Sequence, residues 1–415
     1  MEDRKKIPAL RFKAFEDDWE EKAFKKVMDF SVPNNTLSRA YLGFGVKGEV
    51  KNVHYGDILV KYPSILDVDK AELPIIIDSK ESDFTRFLLK SGDIVIADTA
   101  EDESTGKVVE MNCSDGEKVV AGLHTMVARP NKSFAKNYLG HYLNSPKYHN
   151  QLLPLLQGIK VLSLSKKHIQ STTVRFPNRE EEQCKIGSLL TELDNLIALQ
   201  QEEYELLKKL KKGYLQKLFP KKGESVPELR FEGFDGAWED SYLGDFLIEY
   251  SKKSTKENEY DVLSSTSGGI EKRVGRVSGN SNLGYKILDI GDLVLSPQNL
   301  WLGNININDF QVGLVSPSYK TFKIAGIEPG FIRPILKTRE MLEEYKNSST
   351  QGASVVRRNL EIELFKSISI KTPGLKEQQQ LSNFFDELDK LIKNKLLLMN
   401  QSKLLKKYLL NKLFN

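Results

Sequence analysis

Between residues 183 and 219, apolar side chains return at steps of three and four: Ile186, Leu190, Leu193, Ile197, Tyr204, Leu207, Tyr214 and Leu218. That spacing predicts one long amphipathic helix with a coiled-coil seam, interrupted by Gln200 and Lys211. Residues 378–414 repeat the pattern with Leu381, Phe385, Leu388, Ile392, Met399 and Leu409. Leu193-Asp194 overlies Leu388-Asp389 at an offset of 195 (389 − 194), and Lys217-Leu218-Phe219 overlies Lys412-Leu413-Phe414 on the same register. Neither stretch contains Pro, and both are rich in Leu, Lys, Glu and Gln. At ~1.5 Å per residue each helix would be on the order of 55 Å long. Such a rod cannot bury its own stripe, so the other copy is its obvious partner. Ile186, Leu190, Leu193 and Ile197 in one, and Leu381, Phe385, Leu388 and Ile392 in the other, are the expected pairing positions.

The stretch before each helix reads differently. Residues 20–176 alternate short apolar runs with turn residues. Tyr55-Gly56-Asp57-Ile58-Leu59-Val60 and Ser91-Gly92-Asp93-Ile94-Val95-Ile96 each place a Gly-Asp turn before an expected strand. Further strands are expected at 73–77, 119–128 and 172–176, and a helix capped by Ser133 should carry Tyr138, Leu139, Tyr142 and Leu143. Residues 240–372 give the same reading, with Gly291-Asp292-Leu293-Val294-Leu295, a strand at 318–324 and a helix at 339–345. Both stretches are mixed α+β. Each is introduced by one phrase, Ile7-Pro8-Ala9-Leu10-Arg11-Phe12 with Phe15 and Trp19, then Val226-Pro227-Glu228-Leu229-Arg230-Phe231 with Phe234 and Trp238. The phrases repeat at an offset of 219 (226 − 7) while the helices repeat at 195, so two tandem halves enclose globular stretches of unequal length. The expected layout is a globular domain at 1–176, a helix at 177–219, a second domain at 220–372 and a final helix at 373–415.

Composition narrows the class. The chain has 415 residues, 40% hydrophobic and 28% charged, enough for two or three domains. No apolar run approaches the ~20 residues that span a bilayer, and the start is charged rather than signal-like. Cys113 and Cys184 are the only cysteines, which fits a reducing cytoplasm and gives neither a disulfide framework nor a cysteine metal site. A net charge of +4 permits nucleic-acid binding without demanding it.

Catalytic motifs are not apparent. Gly43-Phe44-Gly45-Val46-Lys47-Gly48 matches the dinucleotide fingerprint, but no clear strand precedes it and a strand-like run follows, so a glycine-rich surface loop is the better reading. Thr105-Gly106-Lys107 ends like a phosphate loop, yet Glu101 stands where the first glycine is needed. The five histidines lack metal-ligand spacing. Neither an adenine methyltransferase Pro-Pro-Tyr motif nor a clear nuclease motif occurs.

What remains is a binding frame. Gln157-Gly158 is followed by Lys160, Lys166, Lys167 and His168; Gln351-Gly352 is followed by Arg357 and Arg358. Lys272, Arg273 and Arg276 stand in a Gly/Ser-rich loop with Asn280 and Asn282. Such side chains contact phosphates and base edges. For any one of them a solvated loop is an equal reading, but recurrence at matching places in both halves favours DNA. The run Lys208, Lys209, Lys211, Lys212 and Lys217 could face DNA, a partner helix or solvent at a helix end.

At this point the chain resembles the specificity subunit of type I DNA restriction-modification systems along nearly its whole length. The resemblance rests on the paired Leu-Arg-Phe…Phe…Trp phrases, the Gly-Asp strands and Ala121-Gly122-Leu123-His124-Thr125. Gln157-Gly158 with Val161-Leu162-Ser163-Leu164-Ser165 and both Leu-Asp-x-Leu-Ile helices complete it. It implies two target recognition domains reading the halves of a bipartite double-stranded DNA site, joined by two helices packed as an antiparallel coiled coil with pseudo-twofold symmetry. It also implies a non-catalytic chain bound by two methyltransferase subunits and two ATP-dependent restriction subunits, which would hold S-adenosylmethionine, ATP and Mg2+. Two other classes stay open. One is an adaptor that displays two domains on a coiled coil without binding DNA; the other is a divergent methyltransferase or nuclease.

Overall fold

The computed structural model describes residues 7–273, 281–352 and 357–415. The chain divides into two units, residues 1–202 with 396–415, and residues 203–395. Each unit is mixed α/β. Among the described residues no helix is long and apolar enough to cross a membrane.

In the first unit a five-stranded sheet runs in the order Met28–Asp29, Thr125–Pro130, Ile94–Ala97, Val108–Asn112, Ile65–Asp67. Ile94–Ala97 is buried along its whole length. Alternation along this strand sends Ile94 and Ile96 into one core, with Tyr138, Tyr142 and Phe414, and Val95 and Ala97 into another, with Val53 and Ile58. The turn before it needs Gly92 at φ 89°, and Asp93 beneath is clamped by Arg129 through two bonds of 2.7 and 2.6 Å. In the second unit the sheet order is Leu247–Tyr250, Lys320–Ile324, Leu293–Leu295, Ile305–Ile307. Gly291 repeats the left-handed turn at φ 87°, and Lys323 holds Asp292 at 2.9 Å.

The third expected Gly-Asp strand is a helix instead, Tyr55–Val60. Gly56 does not take a left-handed turn; the His54 Nδ1 accepts from Gly56 N at 3.2 Å and caps the helix, with Asp57 in its first turn. The helix Tyr138–Leu143 is entered from Asn137, at φ 70°, while Ser133 donates to Glu180 Oε1 at 2.9 Å.

The long helices run Glu180–Lys217 and Leu375–Phe414. The first begins before residue 183 because Glu180, Glu181 and Glu182 suit the positive end of its dipole. In the first unit Ile186 and Leu190 pack with Tyr138, Leu413 and Phe414 in one core. In the second, Leu381 and Phe385 pack with Leu218 and Phe331. Leu193 and Leu388 are buried, while Ile197 and Ile392 are half-buried.

The same ties anchor each helix. A four-residue antiparallel pair joins the first and last strands of each globular part, Glu20 opposite Phe176 and Glu239 opposite Thr372. Arg11 grips Glu182 at 2.7 and 2.8 Å, and Arg230 grips Glu377 at 2.8 and 2.7 Å. Gln183 donates to Pro177 O at 2.8 Å and accepts from Ala135 N at 3.0 Å; Gln378 does the same with Pro373 O at 2.8 Å and Glu328 N at 3.0 Å.

Candidate nucleic-acid interface

In the first unit the segment after Gln157 folds into a tight hairpin, where Gln157 and Ser163 exchange backbone bonds of 3.1 and 2.8 Å. Gly158 sits at φ 124°, and a Cβ there would lie 1.9 Å from Val161 O, so only glycine makes the turn. The hairpin presents Lys160 to solvent, with Ile159 99% exposed. Its strand Leu162–Ser163 pairs with Thr99–Ala100. Lys166, Lys167 and His168, expected in a loop, form one turn of the helix Lys166–Gln170. The Ser165 hydroxyl caps it by accepting from His168 N at 3.2 Å, and Ile169 anchors it in the core. Lys167 points to solvent, and Lys166 Nζ lies 5.6 Å from the Phe30 ring centroid.

The second unit distributes its candidates over two hairpins. Lys272 ends the strand Gly269–Lys272, paired with Leu263–Thr266, and makes an ion pair with Asp261 at 2.9 Å. Arg273 follows, its backbone N–H bonded to Val262 O at 2.9 Å. Arg276 and Asn280 lie outside the described residues, and Asn282 is buried, bonded to Asn258. Arg357 is exposed on the second hairpin, its carbonyl accepting from Gly352 N at 2.9 Å. Arg358 is half-buried: Nε donates to Ser349 Oγ at 2.8 Å, and Nη2 to the carbonyls of Ser349 at 2.8 Å and Lys346 at 3.2 Å. Its guanidinium fork therefore ties the hairpin together through these hydrogen bonds.

Of the lysine run on the first long helix, Lys208 pairs with Glu205, Lys211 with Asp389 and Lys217 with Glu228. The glycine loop 43–48 is no nucleotide cradle. It leads into the strand Lys51–Val53 rather than a helix, Gly45 turns at φ 65°, and a Cβ on Gly48 would lie 2.2 Å from Ile76 O.

Sequence reasoning passed over a set of side chains beside the first hairpin. Asp98 O accepts from Leu164 N at 2.8 Å, and its carboxylate Oδ1 stands 3.7 Å from His124 Nδ1. Tyr55 lies between His54 and His124, its ring centroid 4.7 and 5.1 Å from theirs. Asp57 pairs with Arg39 at 2.7 Å. Burial and the nearby Arg39 charge push the His54 imidazole below its ordinary range, consistent with a neutral ring that accepts from Gly56. A turn at Gly56-Asp57 before a strand, as the sequence suggests, gives Tyr55 and Asp57 no common surface; the helix Tyr55–Val60, capped by His54, gathers them.

Residues 16–209 match the type I restriction modification DNA specificity domain. Over 412 residues the chain is 24% identical to the putative type I restriction enzyme MjaX specificity subunit of Methanocaldococcus jannaschii, covering 95% of this chain and 92% of that protein. The fold is similar to that of the type I restriction-modification S subunit from M. genitalium, with a TM-score of 0.63 at 14% identity over 99% of each chain. A structure described as underlying complex assembly and conformational transition of the type I R-M system aligns with a TM-score of 0.51 at 16% identity, over 96% of this chain and 97% of that one. Residues 16–209 thus match the type I restriction modification DNA specificity domain, and the chain along nearly its whole length is similar to a type I specificity subunit in sequence and to an S subunit in fold.

Proposed function

We propose that this chain is the DNA-reading subunit of a type I restriction-modification complex, and that each globular part reads one half of an asymmetric bipartite site. The observation that carries it is a repeated frame around unlike surfaces. The Arg–Glu clamp, the Gln brace and the end-to-end strand pair recur in both units, while the strand pairs that carry the basic candidates differ: Leu162–Ser163 with Thr99–Ala100 in the first unit, Leu263–Thr266 with Gly269–Lys272 and Ser349–Gln351 with Arg358–Leu360 in the second. Two unlike reading heads on one repeated frame suit two unlike half-sites.

The long helices would act as an antiparallel spacer. Lys406 pairs with Asp194 in the first unit and Lys211 with Asp389 in the second. Seventeen residues separate the paired positions on each helix (211 − 194 and 406 − 389), so a single antiparallel register accommodates both pairs. Lys160, Lys166, Lys167, His168, Lys272, Arg273, Arg276 and Arg357 are the proposed DNA-facing side chains, with Arg358 holding its hairpin. The helices would also dock two methyltransferase subunits, and two restriction subunits would complete the complex. S-adenosylmethionine, ATP and Mg2+ would sit on those partners, and this chain would contribute recognition alone.

Methylome sequencing of cells carrying this chain with its methyltransferase partner tests the reading. The expected result is one asymmetric motif with two specified halves and a fixed unread spacer. An uninterrupted or palindromic motif would contradict two unlike reading heads, and no methylation dependent on the chain would return it to the adaptor class.

A further inference from the structure

Outside the opening phrase and the long helices, the large hydrophobic side chains left exposed among the described residues of the first unit are Tyr41, Phe44, Val60, Ile77, Ile159 and Val161. They are not scattered. Ile77 N donates to Tyr41 O at 3.0 Å, which places both beside the glycine loop that projects Phe44. Lys61 Nζ, at the end of the helix Tyr55–Val60, stands 5.3 Å from the Phe44 ring centroid. Arg39 binds the same helix through Asp57, and Tyr55 carries the contact on to His124. From there Asp98 leads to Leu164 and the hairpin bearing Ile159, Lys160 and Val161. One connected edge thus runs from the glycine loop to the basic hairpin.

We infer that this edge — the loop 43–48, the start of the helix Tyr55–Val60, and His124 — is a duplex-DNA contact surface. The inference rests on the DNA-reading function proposed above and assigns it residues outside the basic segments. Two features select the occupant. A protein partner favours a core depleted of charge, whereas here Lys61, Lys160 and Lys167 stand exposed along the edge that bears the apolar side chains, and Arg39 is held there by Asp57, as a polyanion with apolar base faces requires. The groups between them, the Tyr55 hydroxyl, the His124 imidazole and the Asp98 and Thr99 side chains, can donate to or accept from base edges.

His124 is the most telling member. Its backbone lies at φ 55°, a conformation that glycine adopts freely and that costs other residues free energy. Its side chain is 47% exposed, so core packing does not account for a histidine there. The neighbouring backbone fixes it from both sides: Asp98 N donates to His124 O at 3.1 Å, and Thr125 Oγ1 donates to Gly122 O at 2.6 Å. The turn therefore holds an imidazole out at the surface at the expense of its own backbone.

This strain supplies a clean test. His124→Gly removes the imidazole while relaxing the turn, and Phe44→Ser removes an exposed ring; both should keep the melting temperature of the parent chain. The full chain, co-purified with its methyltransferase partner, is titrated against two duplexes. One carries the site that the complex methylates and the other has random sequence, with affinity read by fluorescence anisotropy across a salt series. Each variant is expected to bind the cognate duplex roughly tenfold more weakly. Equal loss on both duplexes assigns the contact to the phosphate backbone; loss on the cognate alone assigns it to base edges; either upholds the surface. Parent-like affinity of both variants for both duplexes, with the parent binding the cognate, overturns this surface and leaves the DNA-reading function intact. A parent complex that binds neither duplex overturns both.

Discussion

In the first unit Glu182 holds both Arg11 and the indole of Trp19, whose Nε1–H donates at 3.3 Å. In the second, Glu377 holds Arg230 in the same two-pronged way, but Trp238 Nε1–H is buried without a partner among the described residues. The cross-helix pairs differ similarly. Lys406 and Asp194 are 21% and 17% exposed, with His141 buried beside them, whereas Lys211 and Asp389 are 27% and 41% exposed. The frame is thus repeated in kind and tighter in the first unit. A frame can repeat because a two-pronged Arg–carboxylate clamp is satisfied by geometry alone, whatever surface the globular part presents beyond it.

The largest effect should come from breaking the clamps. Glu182→Ala leaves a nearly buried guanidinium and an indole N–H unpaired, and should destabilise by about 3–5 kcal/mol. Glu377→Ala unpairs only Arg230, which keeps its bond to Gly236 O, and should be milder by about 1.5–3 kcal/mol, the worth of a hydrogen bond to a charged group. Urea midpoints of the two variants settle the order. A Glu377→Ala loss equal to or above that of Glu182→Ala would mean the indole bond is idle.

The units also differ in how they start their inner helix. Glu110 accepts from Asn137 N at 2.6 Å and Gly140 N at 2.8 Å, capping Tyr138–Leu143, while the second unit's Pro329–Ile335 opens with proline and has no side-chain cap. Burial outweighs those bonds and pushes the Glu110 carboxyl up to about 7. A carboxyl with a raised folded pKa holds its proton in the fold longer than in the unfolded chain. Stability should therefore fall as pH rises from the ordinary carboxylate value towards about 7, by up to about 3 kcal/mol, and level off above that. Glu110→Gln should flatten this slope by one proton. Chemical denaturation from pH 5 to 8 reads it, and identical slopes for parent and variant would place the titration elsewhere.

The cross-helix pairs should give a smaller effect. Asp194→Asn is expected to cost about 1–2 kcal/mol, and Asp389→Asn, at an exposed pair, below about 1 kcal/mol. Double-mutant cycles with Lys406→Met and Lys211→Met measure the couplings. A stronger coupling at Lys211–Asp389 would reverse the comparison between the units.

Periodicity over forty residues is a strong signal, and both long helices were legible from it; so were the strands behind Gly92-Asp93 and Gly291-Asp292. The failures lie in short local structure that leaves no periodic trace. Gly-Asp before an apolar run specifies a strand only when the glycine turns left-handed, and Gly56 does not: a histidine that caps a helix decides the outcome there. A side-chain cap two residues away leaves no periodic trace, so the pattern predicts a strand where the chain forms the helix Tyr55–Val60. The helix Lys166–Gln170 is likewise invisible to periodicity, because five residues are too few to display a helical stripe. Charge was legible and its employment was not: Arg358 and Lys167 look alike in sequence, yet only the fold gives one of them partners.

That last pair offers the smallest and sharpest test. Lys167 is exposed on a helix anchored by Ile169, so Lys167→Ala should leave the melting temperature unchanged. If it contacts one phosphate, the slope of log affinity against log salt should shrink by about 0.9, and binding should weaken alike on cognate and random duplexes. Arg358→Ala removes three hydrogen bonds from the hairpin joining Ser349–Gln351 to Arg358–Leu360. It should lower the melting temperature and weaken the cognate duplex chiefly through lost hairpin order, with little change in salt slope. Arg358→Lys, which keeps the charge without the planar fork, should behave like Arg358→Ala if positioning is the role and like the parent if charge is. A reduced salt slope for Arg358→Ala that Arg358→Lys restores would make Arg358 a phosphate contact after all, and an unchanged slope for Lys167→Ala would return that lysine to solvent.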